Sequence, residues 1–169
     1  MPGGVLHRGW EVFEVSTNSV AGPNSGDSRR PGIVRDPASR RGSVLLDRAD
    51  ALLSQSVGAG APADRFHSAY LAALRGAGAV LATAERTSSG NRRTRTRNAW
   101  VLLAHAAPDL ASWADYFASH SATRAAIEAG MSRILTDWEA DEFFVEVGRF
   151  LQAVEDRIGH DAGLDLRAS

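Results

Sequence analysis

Residues 136–159 read TDWEADEFFVEVGRFLQAVEDRIG, and this stretch decides the fold class. Phe143, Val147, Phe150, Leu151, Val154 and Ile158 recur three and four residues apart, the period of an α-helix that buries one face. Thr136-Asp137-Trp138-Glu139 has the form of a capping box, in which a hydroxyl and a carboxylate three residues apart satisfy the free amides of a first turn. Asp137, Glu139 and Asp141 put negative charge at the positive end of the helix dipole. Gly159 is the expected stop.

The same period recurs upstream. Ser43 reads as an N-cap, and Leu45, Leu46, Ala49, Leu52 and Leu53 share one face before Gly58, Gly60 and Pro62 end a first helix. A longer helix is predicted from Asp64 to Arg86 on the spacing of Phe66, Tyr70, Ala73, Leu74, Ala77, Val80 and Leu81. Gly76 and Gly78 each weaken it by ~1 kcal/mol relative to Ala, so tertiary contact must hold it. Thr87 to Thr94 is a polar loop. A third helix carries Trp100, Val101, Leu103 and Ala104 up to Pro108, which should kink or restart it, and helical spacing resumes to about Ser119. A short helix at Thr123–Ala129 closes at Gly130. Short links between amphipathic helices specify an all-α, up-and-down bundle of four to five helices over residues 43–160.

Residues 1–42 contain Pro23, Pro31 and Pro37 among many Gly, Ser and Arg, and read as a poorly ordered N-terminal arm. Its one apolar run, Trp10-Glu11-Val12-Phe13-Glu14-Val15, has the alternation of a short strand or docking segment. Residues 161–169 form a C-terminal tail.

The absence of cysteine excludes disulfides, thiol nucleophiles and thiolate metal sites, and fits a reducing compartment. No run reaches the ~18–20 apolar residues of a membrane span, and the first 25 residues lack a secretory pattern, so a soluble, cytoplasmic protein is expected. All 19 basic residues are arginine, which excludes Schiff-base chemistry and the phosphate-loop lysine. The net charge of -1 gives no overall pull toward nucleic acid. The charge is nevertheless segregated: residues 85–97 hold five Arg against one Glu, and residues 128–165 hold ten acids against three Arg.

No complete catalytic motif is present. A di-iron bundle needs Glu-x-x-His on two helices, and the nearest approach, Asp64-x-x-His67, occurs once and supplies too few ligands. No metal or cofactor is expected. The acids Asp137, Glu139, Asp141, Glu142 and Glu146 read as capping and dipole residues rather than a cation site. The run Asn91-Arg92-Arg93-Thr94-Arg95-Thr96-Arg97 is different, because four cations where a helix begins oppose its dipole by ~0.3–1 kcal/mol each. A phosphate would relieve that conflict, so Arg92, Arg93 and Arg95 are candidate contacts to RNA or another phosphate-bearing ligand. No aromatic residue interleaves with them to stack bases, and a solvated Arg-rich loop is the alternative.

Arg97-Asn98-Ala99-Trp100-Val101-Leu102-Leu103-Ala104-His105-Ala106-Ala107-Pro108-Asp109-Leu110, followed by Trp113-Ala114-Asp115-Tyr116-Phe117, resembles the small actinobacterial branch of the HEPN superfamily, named after a Streptomyces avermitilis locus. The likeness spans roughly residues 43–158. It implies a compact helical bundle that often dimerises and, in active members, a metal-independent endoribonuclease. In those members an Arg followed by a polar residue, and a His after four to six intervening residues, meet their copies across the dimer. The pair supports attack of the ribose 2′-hydroxyl on the adjacent phosphate. Arg97-Asn98 fits the first half, which makes Arg97 and His105 the candidate catalytic pair. Seven residues separate them, one more than the pattern has. At 100° per residue, an offset of seven leaves two side chains about 20° apart around a helix, and an offset of eight leaves them about 80° apart.

The expectation is therefore a HEPN-like module without catalysis, acting through dimerisation and through binding of RNA or a protein partner. The alternatives are a ribonuclease using Arg97 and His105, and a protein-only scaffold whose acidic last helix docks a basic partner.

Overall fold

The computed structural model describes residues 37–84, 98–130 and 135–167. Among these, the order is α1 (Pro37–Val57), α2 (Pro62–Ala84), α3 (Ala99–Ala106), a 3-10 turn (Pro108–Leu110), α4 (Ala111–Ser119), α5 (Ser121–Glu128) and α6 (Asp137–Arg167). There is no strand among the described residues. The arm with Trp10–Val15, and the loop predicted at Thr87–Thr94, lie outside them.

α2 is the central element and packs against α1, α3, α5 and α6. Its sequence explains this position, because Ala69, Ala72, Ala73, Ala77 and Ala79 bury several sides of the helix with little side-chain bulk. The four-residue link Gly58–Ala61 sets α1 antiparallel to α2: a Cβ placed on Gly42 would meet Thr83, whereas one on Gly78 would meet Leu45. α6 runs parallel to α2. Arg65, near the start of α2, pairs with Asp137 and Asp141 at the start of α6. Farther along, a Cβ on Gly76 would lie 2.6 Å from Leu151 Cδ2 and 3.0 Å from Phe150 Cε1. Gly76 therefore permits the close approach of the two longest helices, and the helix propensity it gives up (~1 kcal/mol) is offset by that packing.

The start of α1 and the end of α6 differ from the sequence reading, each for a local reason, and the break at Pro108 stands where it was expected. α1 begins at Pro37, and Ser43 sits inside it with its hydroxyl donating to the Ser39 carbonyl at 3.1 Å, the back-bond of a mid-helix serine. Pro108 divides the third helix, with Ala107 in a non-helical conformation (φ -139°). α6 continues through Gly159 and Gly163 to Arg167. The only glycine with positive φ among the described residues is Gly130 (φ 68°), which ends α5 as expected.

The capping box forms: the Thr136 N–H donates to Glu139 Oε2 at 2.9 Å and the Glu139 N–H donates to Thr136 Oγ1 at 3.2 Å. Phe143, Val147, Phe150, Leu151 and Val154 are buried against α2 and an aromatic cluster that includes Phe66, Tyr70, Trp100 and Phe117.

Candidate functional site

α3 carries the second half of the Arg–His pattern, and its position follows from two anchors. Asn98, extended at φ -71° and ψ 114°, caps it: Oδ1 accepts from the Trp100 amide at 2.9 Å and the Val101 amide at 3.4 Å. Trp100 faces inward, 4% exposed, and its indole N–H donates to the Tyr70 hydroxyl on α2 at 2.8 Å. That hydroxyl lies 2.8 Å from Ser121 Oγ on α5 and 3.3 Å from the Phe117 carbonyl on α4, so one buried phenol ties four helices together. Arg124 covers the Tyr70 ring, with its guanidinium carbon 5.3 Å from the centroid. The sequence named Tyr70 and Trp100 only as core residues. No local signal links them, since their side chains meet across 30 positions.

With Trp100 inward, the outer side of α3 presents Val101 and His105, both exposed. These two, with Ala104, Pro108, Ala114, Asp115 and Ala118, line a shallow groove of about 380 Å³ between α3 and α4. Small side chains form its walls, and His105 and Asp115 supply the polar groups. The His105 imidazole makes no hydrogen bond to any described residue. Arg92, Arg93, Arg95 and Arg97 lie outside the described residues. Because α3 starts at Ala99 with Asn98 extended, the rotation per residue applies to His105 but not to Arg97.

The other described histidines have structural surroundings. His120 Nδ1 lies 2.8 Å from the Tyr116 carbonyl, and its ring packs against Tyr116 and Phe143. His67 turns toward α5, where its Nδ1 is 3.9 Å from Glu128, itself bound by Arg124. His160 is exposed on α6. No group of three or more metal-ligating side chains occurs among the described residues. The acidic cluster is dispersed: Glu139 completes the capping box, Asp137 and Asp141 hold Arg65, and Glu146 pairs with Arg149. Burial, with Glu146 and Glu142 adding to it, pushes the Tyr116 phenol up to about 12.

A family model described as SAV_6107-like HEPN matches residues 56–155, more than half of the chain. The chain belongs to this HEPN family. The match runs from the end of α1 to the middle of α6, so it contains the Tyr70–Trp100 anchor, α3 and the α3–α4 groove. No curated protein and no solved structure matches the chain. No helix of this HEPN chain is long and apolar enough to cross a membrane, among the described residues.

Proposed function

We propose that this HEPN protein is a non-catalytic helical module that dimerises through its α3–α4 face and binds RNA through the arginines that precede α3. The observation that carries the reading is the outer side of α3, where exposed Val101 and His105 border a groove of small side chains. A short helix with Val101 and His105 exposed beside a shallow concavity suits a second helix pair packed across it. Arg92, Arg93 and Arg95 then supply phosphate contacts at the end of α3 where the dipole is positive.

Two features support the non-catalytic reading. A catalytic imidazole needs a neighbour that fixes its orientation, and that of His105 has no hydrogen-bond partner among the described residues. The candidate Arg97 stands one residue farther away than active members of the family have it. The alternative, a metal-independent endoribonuclease using Arg97 and His105, is favoured by the exposure of His105 beside the groove.

Light scattering and RNA binding test the main reading together. The wild type should be dimeric and Val101→Asp monomeric, since a carboxylate on that face would be buried without a partner. Binding of single-stranded RNA should weaken with salt, and each Arg→Gln change at 92, 93 or 95 should lower the log–log slope by about 0.7. Cleavage of single-stranded RNA in EDTA that disappears in His105→Ala would overturn the non-catalytic reading. A monomeric wild type that binds no RNA would overturn the whole of it.

A further inference from the structure

Most of the exposed large apolar side chains gather at one end of the bundle, away from α3. Val57, at the last residue of α1, is 67% exposed, Trp138 in the first turn of α6 is 69% exposed, and Val145 one heptad later is 46% exposed. A hollow of about 420 Å³ opens between the end of α1 and the starts of α2 and α6, lined by Val57, Arg65, Asp137, Asp141 and Phe144. An exposed tryptophan beside exposed valines is costly in an unpartnered surface, and such a patch marks a contact with another molecule.

The arrangement defines what would cover it. Trp138 and Val145 lie within about 20° of each other around α6 and about 10 Å apart along it, on the side opposite Phe143 and Val147. Apolar residues one heptad apart on an outward helix face are the pattern that another helix fills. The hollow lies at the edge of that line and has room for one or two large apolar side chains. Charge supplies the second requirement. Asp137, Asp141, Glu142 and Glu146 surround the patch, and the two nearby cations, Arg65 and Arg149, are already held by Asp137, Asp141 and Glu146. Arg65 is only 16% exposed and cannot offer its charge outward. The surface is thus apolar at its centre, and its rim keeps a net negative charge of two once Arg65 and Arg149 are set against the four acids.

We propose that the α6 outer face and this hollow dock a basic amphipathic helix of a partner protein, with apolar residues placed over Trp138 and Val145 and an apolar anchor in the hollow. In a second copy of this chain the basic run at residues 91–97 consists of Arg, Thr and Asn and has no side chain to fill the hollow, so self-association through this face is an outcome the test must separate. The site shares no residue with the α3–α4 groove, so its variants leave dimerisation and RNA binding unchanged.

The test uses the full chain and two fluorescein-labelled 14-residue helical peptides, one with Leu at heptad core positions and Arg elsewhere, the other with Glu in place of Arg. Fluorescence anisotropy at 50 mM salt should show saturable one-to-one binding of the Arg peptide and none of the Glu peptide. Binding should weaken at least ten-fold at 500 mM salt, where surface charges are screened within a few ångströms. Trp138→Ser and Glu142→Arg, both at exposed positions that cost the fold little, should each weaken it at least ten-fold, whereas Val44→Ser on α1 and Val101→Asp on α3 should leave it unchanged. Equal binding of both peptides, or wild-type binding by Trp138→Ser, would overturn the proposal. Self-association abolished by Trp138→Ser would overturn it in favour of a second copy.

Discussion

Tyr70→Phe should destabilise the bundle by far more than the loss of one exposed hydrogen bond. The hydroxyl accepts the Trp100 indole N–H at 2.8 Å, lies 2.8 Å from Ser121 Oγ and is buried. Deleting it leaves the indole N–H buried without an acceptor, at a cost of ~1–3 kcal/mol. For a chain of this size each kcal/mol moves the melting temperature by about 2–4 °C, so a drop of about 2–12 °C is expected. A double-mutant cycle isolates the indole. In a Trp100→Phe background no N–H is left to orphan, and the same Tyr70→Phe change loses only the Ser121 and Phe117 contacts common to both backgrounds. The Tyr70→Phe penalty should therefore shrink by ~0.5–3 kcal/mol in that background, measured by urea unfolding monitored by circular dichroism. α3, eight residues long, is below the ~12–15 residues a free helix needs, so its amide exchange should accelerate in Tyr70→Phe more than that of α1. Equal penalties in the two backgrounds would show that the Tyr70–Trp100 bond does not hold α3 in place.

The glycines of α2 should respond in opposite directions. Gly78→Ala, whose new Cβ would meet Leu45 Cδ1 at 3.7 Å, should stabilise by ~1 kcal/mol, and Gly76→Ala, at 2.6 Å from Leu151, should lose ~1–3 kcal/mol to overpacking, both read by urea midpoint. Gly130→Ala, forced to φ 68°, should cost ~1–2 kcal/mol, while Gly159→Ala, helical and in open space, should gain up to ~1 kcal/mol in thermal melts. Asp50 is raised above the usual carboxylate range by burial, then by Glu155 and Asp47. Its native form holds a proton more tightly than the unfolded chain, so its contribution is favourable at low pH and is lost as pH rises through its folded value. Asp50→Asn should therefore melt higher than wild type at pH 7, with the difference shrinking toward pH 3.

What could be read from the sequence depended on whether the cause was local. The capping box and Gly130 are decided by atoms within four residues, and both stand where the sequence puts them. Ser43 and Gly159 carry the residue types of a cap and a stop, but a serine can bond backward inside a helix, and a glycine costs only ~1 kcal/mol there. Neither type compels an end. The parallel pairing of α2 with α6 depends on the space above Gly76, which no periodicity in α2 records. The candidate site divides in the same way. The exposure of His105 follows from burying Trp100 five residues earlier, about 140° around the helix, and so was within reach of sequence periodicity. The relation of His105 to Arg97 was not, because counting residues gives an angle only inside a helix, and α3 starts at Ala99 behind an extended Asn98. The seven-residue separation is therefore not an angle around α3. Moving the arginine by one place, as Arg97→Asn with Asn98→Arg, would remove the Asn98 cap while restoring the family spacing. A gain of RNA cleavage over wild type in that double variant, despite the expected loss of ~1 kcal/mol from the cap, would mean that the Arg–His spacing limits this chain's activity.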